Sequence, residues 1–174
     1  LKQACDEVNQ HLVSEWPEEG CTAGIVVVSN TDVYSVNLGD VRAVLVHPDG
    51  TAERLSYDHK ASDPAEKEMI QAQGIKVFRD RILGILAVTR ALGDGEFEGI
   101  ISTEPYVKQV KREDGAKLIL ACDGVWDVLS DDEAAQLVSK YQDMQEAASA
   151  LVKEALDKQT TDNVSCIVVD LTPK

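Results

Sequence analysis

Aspartates stand at the ends of several apolar runs, and those are the places where chemistry with a hard cation could be done. Asp123-Gly124-Val125-Trp126-Asp127 follows directly on Leu118-Ile119-Leu120-Ala121-Cys122. A carboxylate at the end of a buried strand is held rigidly at the rim of a core. Its charge is unfavourable there unless something compensates it. Magnesium or manganese does so well, because both take oxygen ligands and reward fixed geometry. Gly124 permits a sharp turn, and Asp127, four residues on, returns to the same face if the segment coils. A turn into a helix, capped by Asp123, explains the same residues equally well. Asp162 lies in Thr160-Thr161-Asp162-Asn163, just before the apolar run 164–169. If the two strands are neighbours, Asp123 and Asp162 converge on one ion; alone, the second stretch reads as a turn. Asp40, in Gly39-Asp40-Val41-Arg42, sits between two strand-like runs, either as a ligand or as the partner of Arg42.

Two further groups of residues are weaker. Asp58-His59-Lys60 contains a candidate acid or base, but the sequence shows no reactant beside it, and a capping loop is the preferred reading. Thr89-Arg90-Ala91-Leu92-Gly93-Asp94 reads as a strand exit held by an Arg–Asp pair, with phosphate contact by Arg90 as the lesser alternative. Other chemistries lack their parts. There is no G-x-x-x-x-G-K-[ST] phosphate loop, no G-x-S-x-G elbow, no H-E-x-x-H among the three histidines and no EF-hand pattern.

The elements that must position these aspartates follow from periodicity. Residues 2–15 predict a helix with Val8 and Leu12 as its apolar pair, stopped by Pro17 and Gly20. Strands are expected at 22–29, 33–38, 42–47 and 51–55, with Pro48-Asp49-Gly50 as a hairpin turn. A helix over 64–74 and short strands at 75–78 and 85–88 come next. Residues 117–122 read as a buried strand. Ser130-Asp131-Asp132-Glu133 is a capping box opening a helix to about Tyr141. A second helix is expected over 145–158, then a last strand over 163–171. No linker or repeat marks a boundary, and 174 residues suit one domain. Strands joined by short turns early and helices late give an α+β class, with antiparallel sheets covered by helices.

Composition narrows the partners. Seventeen Lys and Arg against thirty-one Asp and Glu give a net charge of −14. So acidic a surface repels nucleic acid and anionic lipid, and neither is expected as a partner. No apolar run reaches the roughly 20 residues needed to span a bilayer. The four cysteines form no C-x-x-C pair, Cys122 and Cys166 read as small core residues, and an intracellular location, cytoplasmic or nuclear, is expected.

The order of the motifs is more specific than any one of them. Gly20-Cys21-Thr22-Ala23 comes first, then L-G-D-V-R-A-V-L from Leu38 and D-H-K from Asp58. L-A-V-T-R-A-L-G-D from Leu86, Glu104-Pro105, L-A-C-D-G-V-W-D from Leu120 and D-N-V-S from Asp162 complete the series. Over nearly the whole chain this resembles the metal-dependent serine/threonine protein phosphatases of type 2C. The resemblance implies two packed antiparallel sheets flanked by helices, and two Mn2+ or Mg2+ ions at one edge of that sandwich, with a third in some members. It places Asp123 and Asp162 on the first catalytic metal, and Asp127, with Asp123 and Asp40, around the further, weaker one. It implies a phosphoprotein substrate attacked in line by metal-bound water, without a phosphoenzyme. The family's D-G-H-G-G segment and its phosphate-binding arginine have no counterpart here, so no catalytic side chain is assigned. With the strands that carry them also missing, the sheets should have an open edge prone to pair with a second copy. Weak activity or none is expected of this chain alone, with a pseudophosphatase or protein-interaction module of the same fold as the alternative.

Overall fold

A computed structural model describes residues 1–173. In chain order the elements are α1 (Lys2–Glu15), β1 (Gly20–Cys21), β2 (Ala23–Val28), β3 (Asp32–Leu38), β4 (Arg42–Val46), β5 (Ala52–Arg54), α2 (Pro64–Ala72), β6 (Val77–Phe78), β7 (Arg81–Ile82) and β8 (Leu92–Gly93). A 3-10 turn (Gly95–Phe97), β9 (Tyr106–Lys111), β10 (Lys117–Ala121), α3 (Asp123–Trp126), α4 (Asp131–Val138), α5 (Met144–Asp157) and β11 (Cys166–Asp170) follow. The chain forms two compact units. Residues 1–23, 36–40 and 57–106 make the first; residues 24–35, 41–56 and 107 onward make the second.

In the second unit, β11-β10-β4-β5 form one sheet; β2-β3-β9 form another, all of it in that unit except Ala23, residues 36–38 and Tyr106. The pairings of β10 with β4 and β11, and of β4 with β5, are antiparallel. Alternation along the strands builds two apolar layers. Val44, Val46, Ile119, Ala121 and Val168 point to one side, where they pack with Trp126, Leu129, Val138 and Leu151 from the helical segment. Ala43, Leu45 and Leu118 point the other way, onto Val33 with Val26 and Val110. This is the expected pair of sheets with a helical cover. The turn between β4 and β5 forms as its sequence demands: Asp49 Oδ1 accepts from Thr51 N at 2.9 Å, and Gly50 takes φ +86°. The capping box is present too, with Glu133 N donating to Ser130 Oγ and Ser130 N to Glu133 Oε2. One edge lacks cover. Ile167 and Val169 stand opposite Leu120 and Leu118 in the ladder, on the face that should be buried, yet they are 58% and 36% exposed.

In the first unit, α1 spans the expected residues but turns a different side inward. Cys5 is buried, Leu12 is partly so, and Val8 is exposed. The reason is what the face meets. Cys5 and Leu12, seven residues apart, share one face and pack with Val36, Leu38 and Leu92. Asn9 lies between them on that face and accepts from Gly93 N at 2.9 Å. α2 begins with Asp63 as its cap, accepting from Ala65 N and Glu66 N, with Pro64 at the first helical position. The strand expected at 85–88 does not form. Leu83 and Gly84 both take positive φ, which turns the chain back so that Leu86 N donates to Ile82 O at 3.2 Å. Two unexpected strand pairings appear instead: the hairpin β6–β7 and the short β1–β8 pair.

Candidate functional site

The site is built where β10 ends and β11 begins. The ladder pairs Ala121 with Cys166, and Cys122 N adds one more rung to Ser165 O at 3.2 Å. Antiparallel strands in that register bring the segment after β10 and the segment before β11 to the same end of the sheet. Cys122 Sγ ties them further, donating to Asn163 O and accepting from Ser165 N, each at 3.3 Å. Gly124 is essential to the approach. A Cβ on it would lie 2.1 Å from Asn163 O, so only glycine lets the two backbones meet this closely.

α3 fixes Asp123 and Asp127 relative to one another, with Asp127 N donating to Asp123 O at 2.8 Å. The short helix is anchored by its own tryptophan. Trp126 is buried, and its Nε1 donates to Ala121 O at 2.9 Å. The Arg42 guanidinium lies over the Trp126 ring, 5.0 Å from its centroid, and donates to Asp131 Oδ1 at 2.7 Å. Arg54 completes the clamp with two bonds to Asp131, at 2.7 and 3.0 Å. Burial pushes the Asp131 carboxyl up, but the Arg54 and Arg42 hydrogen bonds outweigh it and hold it below the ordinary range. Asp162 is exposed, and its Oδ1 accepts from Asn163 N at 2.7 Å.

Asp40 belongs to the first unit, where it is 7% exposed and its Oδ2 lies 3.6 Å from Lys60 Nζ. The carbonyl before it is held firmly. Gly39 O accepts from His59 N at 3.0 Å and Asn37 Nδ2 at 3.2 Å. His59 Nδ1 lies 3.1 Å from the same oxygen. His59 is fully buried. Burial, with the Arg90 charge, lowers its pKa to about 4 against an ordinary 6.5. The Asp58-His59-Lys60 segment thus supports the turn that carries Asp40, and does so with a neutral imidazole.

Arg42 pairs with Asp131, and Asp40 with Lys60; one pairing differs from the sequence expectation. Arg90 pairs with Glu66, not Asp94: its Nη2 lies 2.7 Å from Glu66 Oε1, and Thr89 Oγ1 donates a short bond to the same carboxylate. Asp94 takes φ +50°, and burial beside Glu19 raises its pKa. Nothing local to residues 89–94 could have named Glu66, which reaches them from α2.

As ligands for a hard divalent ion, Asp123, Asp127 and Asp162 have the right donor atoms and share one end of the β10–β11 pair. They do not gather into one cluster. Among the described residues, no group of three or more His, Cys, Asp or Glu side chains could hold a metal ion. The residues present therefore do not fit a cation cage closed by this chain itself.

The family model described as protein phosphatase 2C matches residues 1–164. The chain is 43% identical over 176 residues to protein phosphatase 2C homolog 1 of Schizosaccharomyces pombe, covering 95% of this chain and 50% of that protein. With protein phosphatase 2C homolog 1 of Saccharomyces cerevisiae it shares 39% identity over 184 residues, covering 95% of this chain and 64% of the relative. Among solved structures, a C. elegans sex determining protein superposes with a TM-score of 0.86 at 28% identity, covering 99% of this chain and 45% of the other. The serine-threonine phosphatase 2C of Toxoplasma gondii gives 0.76 at 26% identity, covering 96% and 63%. The chain spans between 45% and 64% of the length of these proteins.

Proposed function

The chain belongs to the protein phosphatase 2C family, and from that premise we propose that it is the carboxy-terminal portion of a phosphatase domain whose complete protein removes phosphate from serine and threonine in proteins with Mn2+ or Mg2+. The observation that carries this reading is the close packing of Gly124 on Asn163, which brings the Asp123 and Asp162 segments to one strand end. Asp123 and Asp162 are read as ligands of one ion, with Asp127 and Asp40 as further candidates. Because this chain does not close the cage, its own ligands bind manganese weakly and support little or no turnover.

The test is an aryl-phosphate assay of this chain and of the full-length protein in millimolar manganese. Turnover by the full-length protein that Asp123→Ala removes is the expected result. Robust turnover by this chain alone would overturn the claim that its ligand set is insufficient. Failure of the full-length protein to turn over would favour a pseudophosphatase or protein-interaction module. A D-G-H-G-G segment in the coding sequence upstream of Leu1 would favour the enzyme.

Self-association through the uncovered edge at Ile167 and Val169 accompanies this reading. A monodisperse monomer by light scattering at high concentration would count against it. An intracellular location, cytoplasmic or nuclear, suits the four free cysteines, and no described helix is long and apolar enough to cross a membrane.

A further inference from the structure

Three large apolar side chains with at least half their surface in water fall within eight residues: Phe78 at 62%, Leu83 at 50% and Ile85 at 58%. They belong to the β6–β7 hairpin and the turn after it. The hairpin is firmly rooted. Val77 pairs with Ile82 and Phe78 with Arg81. Strand alternation sends the first pair inward, where Ile82 is fully buried among Ala61, Ile70 and Ile101, and the second pair outward. The apolar side chains outside are therefore held in place by apolar side chains inside.

The backbone makes this exposure unusual. Arg79 and Asp80, the two turn residues, take φ +50° and +56°, and Leu83 takes +52°. A leucine in the left-handed region is a rare choice where glycine or asparagine would be comfortable. It gives up backbone ease and places an apolar side chain in water, and neither serves folding. Residues that conflict with local rules in this way concentrate at functional surfaces.

Charge distinguishes the hairpin as well. Residues 76–85 contain Lys76, Arg79 and Arg81 against Asp80 alone, in a chain whose net charge is −14. Asp80 faces Lys67 at 3.5 Å. Among the described residues, no carboxylate pairs with Lys76, Arg79 or Arg81. The Arg79 guanidinium lies over the Phe78 ring, 5.3 Å from its centroid, and Arg81 Nη1 donates to Ile85 O at 2.6 Å. By contrast, Lys108 and Lys111 on β9 are engaged by Glu53 and Asp32. The hairpin thus offers apolar surface and uncommitted positive charge together.

We propose that the β6–β7 hairpin is a docking surface for an acidic peptide segment bearing apolar side chains, supplied by the phosphoprotein substrate. The identity of the partner rests on the phosphatase reading; the peptide chemistry rests on the hairpin alone. Apolar side chains of the segment cover Phe78, Leu83 and Ile85, while its carboxylates meet Lys76, Arg79 and Arg81.

The experiment measures fluorescence anisotropy of three labelled peptides with this chain at low salt, without metal: Asp-Glu-Leu-Phe-Asp-Glu, Lys-Lys-Leu-Phe-Lys-Lys and Asp-Glu-Ser-Ser-Asp-Glu. The first should bind at least about tenfold tighter than either of the others, with salt weakening it. Phe78→Ser and Arg79→Glu should each weaken it about tenfold. Leu83→Asn removes apolar surface while suiting the left-handed backbone, so it should weaken binding with melting temperature kept or raised, which excludes unfolding as the cause. Equal binding of the three peptides, binding unchanged by the variants, or preference for phosphatidylserine vesicles over the first peptide would overturn the proposal. Each of those results would leave the phosphatase reading standing, because no phosphate or metal enters the measurement. Peptide binding as expected, with no turnover by the full-length protein, would keep the docking surface and remove the substrate as its source.

Discussion

The buried network of the first unit and the strand end of the second handle carboxylates in opposite ways. Glu66 is nearly enclosed, with a side chain 5% exposed. Burial pushes its pKa up, but the Arg90 and Thr89 hydrogen bonds prevail and keep it low. Its charge is consumed by groups on the same unit. At the end of β10 and β11, Asp127 and Asp162 are exposed and Asp123 is half-buried, on a backbone made rigid by a clamp that uses a different carboxylate, Asp131. Two carboxylates of this fold, Glu66 and Asp131, are enclosed and matched by arginine, while Asp127 and Asp162 reach solvent at a strand end.

The most severe way to break this contrast is Glu66→Ala. It leaves Arg90, whose side chain is only partly buried, without its carboxylate, and the expected loss is about 3 kcal/mol in urea denaturation. A change under 1 kcal/mol would show that the network is not what holds the first unit. Gly124→Ala comes next. Its Cβ must push Asn163 away, at a cost of about 1–3 kcal/mol. Manganese affinity by calorimetry should fall along with stability, and unchanged affinity would show that the two segments need not touch.

The pH dependence of the first unit sharpens the comparison further. His59 has a folded pKa of about 4 against 6.5 in the unfolded chain, so the unfolded chain takes up the proton first as pH falls. Stability should be full above about pH 6.5 and decline toward pH 4. Melting curves from pH 8 to 5 should show the decline. His59→Asn, which offers a donor to Gly39 O without titrating, should flatten it; a slope unchanged by that variant would assign the effect elsewhere. The smallest stability effect is expected of Asp162→Asn. Its exposed amide still accepts from Asn163 N, so stability should stay within about 0.5 kcal/mol while manganese binding weakens. A large destabilisation would make Asp162 a structural residue after all.

Much of the architecture was legible from local pattern. The α1 boundaries, the capping box at Ser130 and the β4–β5 turn each rest on neighbours within a few residues, so the sequence that encodes them is also the sequence that satisfies them. β9 was less so. Tyr106–Lys111 alternates Val with Lys and Gln, and its strand pairs with β3 more than sixty residues earlier. The clamp was hidden for the same reason. Arg42 and Asp131 were each read in a local role, one beside Asp40 and the other in a helix cap, and their 2.7 Å contact joins positions 89 residues apart.

The sequence by itself determined which residues could bind an ion and in what order they occur, because donor chemistry and strand-end placement are local properties. Only the tertiary structure decided which carboxylates are enclosed with arginine, Glu66 and Asp131, and which reach solvent at a strand end, Asp127 and Asp162. That choice depends on what packs beside each one: a charge enclosed by protein must find its partner there, and a charge at the rim need not. Two aspartates separated by nearly forty residues share a strand end because a glycine lets one backbone lie directly against another.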